Sequence, residues 1–77
     1  MTKLQKSIER LNGEIIGSVF EKGSKNLRQF QIVIAYLIDK NEYVVYTYNI
    51  ERDSLFNGYY TTSQADAYEQ FAKRLQR

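Results

Sequence analysis

The carboxylates are the first place to look for chemistry. Paired acids can share general acid and general base work, provided that both converge on one cleft. Glu51 with Asp53, and Asp66 with Glu69, are the close pairs in this 77-residue chain. The first pair sits among turn-forming residues. The second falls in the first turns of a helix, where negative charge complements the dipole. Neither spacing builds a catalytic dyad. The chain has no histidine and no cysteine, so no Ser-His, Cys-His or thiolate-metal arrangement can be assembled. Glycines such as Gly13 and Gly17 are isolated, and no phosphate-cradling pattern occurs. The sequence is therefore read as that of a non-enzyme, with no cofactor and no metal.

Binding chemistry is better represented. Eleven basic and nine acidic residues leave a net charge of +2, mildly basic and compatible with several partners. The cations gather as Lys3, Lys6 and Arg10, as Lys22, Lys25 and Arg28, and as Lys73, Arg74 and Arg77. Each group could contact phosphates. Acids lie among them at Glu9, Glu14, Glu21 and Glu69, which also suits an ordinary solvated surface. Seven tyrosines are spread along the chain. Tyr36, Tyr46, Tyr48, Tyr60 and Tyr68 are expected in or around the core, while Tyr43 and Tyr59 belong to a second, mixed face.

The elements that must position these residues can be read from periodicity. Leu4, Ile8 and Leu11 make an apolar stripe over a helix from about Lys3 to Asn12. Thr2 and Gln5 form a capping box ahead of it, and Asn12-Gly13 stops it. A strand follows from about Ile15 to Phe20, with Gly17 marking a bulge. Residues Glu21 to Asn26 read as a polar turn. Leu27 to Ile38 and Tyr43 to Ile50 are β-branched and aromatic, and a three-residue loop, Asp39-Lys40-Asn41 with Asn41 left-handed, joins them as a hairpin. Burial of one face selects a register with Tyr36 opposite Val44, Ile34 opposite Tyr46 and Ile32 opposite Tyr48. Residues Ser54 to Thr61 can add a fourth strand, with Phe56, Gly58 and Tyr60 on one side. Ser63 caps a final helix bearing Tyr68, Phe71, Ala72 and Leu75.

The expected fold is a single α+β domain over residues 1–77, a two-layer sandwich in the order α-β-β-β-(β)-α. Its antiparallel meander has three or four strands, and both helices cover one face. Stability should be modest, on the order of 3–6 kcal/mol for so small a core. The longest apolar run, Ile32 to Ile38, is too short to cross a bilayer. With no signal-like start and no cysteine, a cytoplasmic protein is expected.

This order of elements resembles that of double-stranded-RNA-binding domains. In that family a lysine-rich signature opens the last helix; the matching stretch Ser63 to Tyr68 has no lysine and adds Asp66. The segment Gly58 to Ser63, leading into a helix with Ala65 and Ala67, is similar to the three-stranded-sheet DNA-binding domains of phage and transposon integrases.

Two binding hypotheses follow. If the helices cover one face, Val33, Ala35, Leu37, Tyr43 and Val45 form an exposed apolar strip for a partner protein or a second copy of the chain. The alternative is a nucleic-acid-binding accessory protein of a phage or mobile element, using Lys22, Lys25, Arg28, Tyr43 and Asn49. No membrane partner is expected.

Overall fold

A computed structural model of the chain describes residues 2–20 and 30–75. The elements run α1 (Lys3–Arg10), β1 (Gly13–Phe20), β2 (Phe30–Leu37), β3 (Glu42–Asn49), β4 (Ser54–Thr61) and α2 (Gln64–Leu75). The strands form one antiparallel meander in the order β1-β2-β3-β4. The α+β class, the element order and the fourth strand are as expected. The polar turn at 21–26 and the residues Lys22, Lys25, Arg28 and Arg77 lie outside the described residues.

Local signals behave as their chemistry requires. The capping box of α1 closes both ways: Gln5 N–H donates to Thr2 Oγ1 at 3.1 Å, and Thr2 N–H donates to Gln5 Oε1 at 2.9 Å. After α1, Asn12 rather than Gly13 takes the left-handed conformation, at φ 56°. Gly13 opens β1 because a Cβ there would lie 3.0 Å from Leu37 Cδ2 and 3.1 Å from Ile8 Cγ2. The expected bulge in β1 falls between Ile15 and Gly17. The hydroxyl of Ser63 accepts the Asp66 N–H at 3.2 Å, capping α2.

The layering differs from expectation. Leu4 and Ile8 of α1 pack with Val33, Ala35, Leu37, Val44, Tyr46 and Tyr48. Ala67, Phe71 and Leu75 of α2 pack with Ile32, Ile34 and Val45, flanked by Tyr43 and Tyr59. Neighbouring residues of a strand point to opposite faces, so the helices lie on opposite faces of the sheet rather than together on one. The molecule has three layers, with the sheet in the middle.

The hairpin register is displaced by one residue to match. Tyr36 stands opposite Tyr43, Ile34 opposite Val45 and Ile32 opposite Thr47. The loop is four residues, 38–41, with Asn41 left-handed at φ 52°. The expected register rested on one face being dry and the other half wet. With a helix on each face that bias vanishes. Ile32, Val33, Ile34 and Ala35 are all buried, at 0–2% exposure. Such an unbroken apolar run is what a doubly covered strand needs.

A second bulge, in β4, also redistributes side chains. Two residues, Asn57 and Gly58, stand opposite Tyr46, with Asn57 left-handed at φ 54°. The bulge sends Phe56 to the α2 face, where it meets Phe30 edge-on with ring centroids 6.0 Å apart. Gly58 and Tyr60 stay on the α1 face. Gly58 makes room for Tyr46, not for Tyr48: a Cβ would come within 2.8 Å of the Tyr46 ring and 2.9 Å of the Tyr60 ring.

Candidate functional site

Each residue singled out in the sequence has a definite place. Val33, Ala35 and Leu37 lie beneath α1, and Val45 lies beneath α2. All four are buried, so they divide between two cores and present no strip to a partner. Tyr43 is half-buried beside α2, its ring 5.0 Å from that of Tyr36. Asn49 accepts the Arg52 N–H at 3.0 Å and so shapes the β3–β4 turn. The structure thus gives both Tyr43 and Asn49 local structural partners.

The acids also have local tasks. Asp53, left-handed at φ 52°, accepts the Tyr48 hydroxyl at 2.5 Å. Glu69 pairs with Lys73 at 3.2 Å in an exposed contact of little energetic weight. Among the described residues no three metal-binding side chains come together. The described members of the basic clusters are split: Lys3, Lys6 and Arg10 ride on α1, and Lys73 and Arg74 on α2 at the opposite face.

Burial and the Asp53 carboxylate together push the Tyr48 phenol up to about 12 from 10.0. Burial and the Tyr60 hydroxyl push Tyr46 up as well. The fold therefore favours both phenols neutral. A raised folded-state value means that the stabilisation is intact below the unfolded value, near pH 10, and is lost as pH climbs toward about 12. The denaturant midpoint should stay flat up to about pH 10 and then fall. Replacing Tyr48 by Phe should make that fall shallower, as read by urea titrations at stepped pH. An unchanged alkaline slope in Tyr48→Phe would show that this phenol is not held neutral by the fold.

The sheet's outer edge at β4 is a different kind of feature. β4 has β3 on one side and, among the described residues, no strand on the other. Its eight residues, Ser54 to Thr61, contain no charged side chain. Phe56 is 39% exposed and Tyr60 48% exposed, one on each face of the sheet. Leu55 and Tyr59 are half-buried. The Tyr60 ring meets Tyr46 edge-on at 5.9 Å and their hydroxyls share a hydrogen bond, so its position is fixed despite its exposure. Arg74 spans β3 and β4 on the α2 face, donating to Thr47 Oγ1 at 3.3 Å and to the Asn57 carbonyl. Beside it an open cleft of about 580 Å³ runs between α2 and β4.

No family model, curated protein or solved structure matches this chain. The composition of β4 was visible in the sequence, and its edge position was not, because pairing order belongs to the tertiary fold. No helix among the described residues is long and apolar enough to cross a membrane.

Proposed function

We propose that the chain is a small non-catalytic module that binds another polypeptide along the outer edge of β4. The observation that supports this is an eight-residue edge strand without a single charge, flanked by one ordered, exposed aromatic on each face. A sheet edge presents unpaired N–H and C=O groups, and proteins that must stay unpaired commonly guard it with lysine, proline or inward charges. β4 has its bulge and Arg74, which takes up the Asn57 carbonyl. Strand addition takes affinity from the main chain and specificity from alternate side chains. Here Tyr60 and Leu55 would read one side of an incoming strand, and Phe56 and Tyr59 the other. A cytoplasmic setting belongs to the same proposal, supported by a composition without cysteine.

The test is a random-peptide library panned on the wild-type chain, with counter-selection on Phe56→Lys. Binders should be extended, rich in β-branched and aromatic residues, and lost on the variant while its melting curve stays cooperative. A library that yields only peptides indifferent to Phe56→Lys would sink the proposal. A parallel salt titration with DNA and RNA separates the alternative of a nucleic-acid-binding protein, whose phosphate contacts would give steep salt dependence.

A further inference from the structure

We infer that the first polypeptide β4 accepts is β4 of a second copy, paired antiparallel about a twofold axis between Asn57 and Gly58. This rests on the proposal that β4 is a binding edge, and it names the occupant. Antiparallel partners must point to the same side of the sheet. An evenly alternating strand can meet itself over its full length only if the axis passes through a residue. β4 is not even, because Asn57 and Gly58 together oppose Tyr46.

The bulge makes the strand self-complementary about its own centre. Leu55, opposite Tyr48, and Tyr60, opposite Val44, lie on the α1 face. Phe56, opposite Thr47, and Tyr59, opposite Val45, lie on the α2 face. In the dimer, Leu55 therefore meets Tyr60 of the partner subunit on one side of the sheet. Phe56 meets Tyr59 of the partner subunit on the other, and Ser54 meets Thr61 of the partner subunit at the ends. Both exposed aromatics of the strand gain a cross-strand neighbour on their own face.

Charge within the strand does not oppose the same occupant. With no charged side chain in β4, self-pairing places no like charges opposite one another. Arg74 bonds Thr47 Oγ1, inward of β4, and the Asn57 carbonyl beside the axis, so that carbonyl is already engaged and the strand pair relies on the other main-chain groups of β4. β1, the other edge among the described residues, carries Glu14, and α1 covers one face of it at Ile15; its Ile16, Val19 and Phe20 are exposed, so it serves as the control edge. The result is a continuous eight-stranded sheet joined over ~27 Å of strand. A contact made of one strand pair is small, so a dissociation constant in the micromolar range is expected.

Light scattering on the full chain across a concentration series tests this. The wild type should pass from monomer to dimer. Phe56→Lys, which acts twice across the axis, should weaken the dimer by about tenfold. Val19→Lys on β1 should leave it unchanged. Since the chain lacks cysteine, register can be read directly: an equimolar mixture of Ser54→Cys and Thr61→Cys in a glutathione buffer should form the mixed disulfide in preference to either self-disulfide. A wild type that stays monomeric to millimolar concentration, yet still selects edge-binding peptides, overturns the second copy and leaves the binding edge standing. Monomers with no edge-binding peptides overturn both. A dimer weakened by Val19→Lys and not by Phe56→Lys places the contact on β1 and overturns the inference.

Discussion

Val45→Lys should leave the chain without a cooperative unfolding transition. Val45 has no exposed surface and sits in the cluster of Ile32, Ile34 and Ala67, with Phe71 and Leu75 of α2 above it. A lysine there loses the valine's packing and must either bury a charge or titrate to the neutral amine. Burying an unpaired ammonium costs several kcal/mol. A core of this size gives a total stability on the order of 3–6 kcal/mol, so the substitution removes most or all of it. The control is Ile38→Lys in the β2–β3 loop, where the side chain is 47% exposed; it should shift stability by less than about 0.5 kcal/mol. Far-ultraviolet circular dichroism with thermal melting decides the matter. A Val45→Lys protein that melts like the wild type would return Val45 to a solvent-facing strip and remove α2 from the sheet face assigned to it.

Truncating Ile8 to alanine should destabilise the chain by about 2–5 kcal/mol, the usual range for such a core deletion. Ile8 is 1% exposed, abuts Gly13 and shares a buried cluster with Leu37. With Leu4 it is one of two buried side chains that anchor α1. An eight-residue helix has little stability of its own in water. Weakening its anchor should therefore release the whole segment and uncover Val33, Ala35 and Leu37. The fingerprint is local as well as global. Hydrogen exchange in α1 should accelerate more than in α2, and an apolar dye should bind. A loss below about 1 kcal/mol, with α1 protection intact, would mean that another contact holds the first face closed.

Both results turn on the placement of the helices, and this is also where the sequence and the fold part company. Turn and cap chemistry was legible because it is local. Thr2 with Gln5, Ser63 ahead of Asp66, the bulge near Gly17 and the left-handed Asn41 each depend on residues a few positions apart. The strands and their order were legible from β-branched and aromatic runs between turns. The α2 stripe is rotated slightly from the expected one: Ala67 is its buried residue, while Tyr68 stands exposed. The stripe of period 3.6 leaves that one-residue ambiguity when alanines flank it on both sides.

The binding strip proposed from Val33, Ala35, Leu37, Tyr43 and Val45 failed as a surface for a physical reason. A strand's alternation says which residues share a face and nothing about what covers it. The signal that both faces are covered is Ile32 to Ile38, an apolar run without a polar break, which alternation alone does not distinguish from one dry face and one half-dry face.

By itself, then, the amino-acid order determined where the chain turns, which segments are extended or helical, and that no histidine or cysteine chemistry is available. Its reach stops at interactions between neighbours a few residues apart. The tertiary structure alone decided that α1 and α2 take opposite faces, that the central hairpin pairs one residue away from the one-face optimum, and that β4 is, among the described residues, an uncharged edge of the sheet. These depend on contacts between segments far apart in the chain, where several arrangements satisfy the same local preferences and the burial of both sheet faces selects among them.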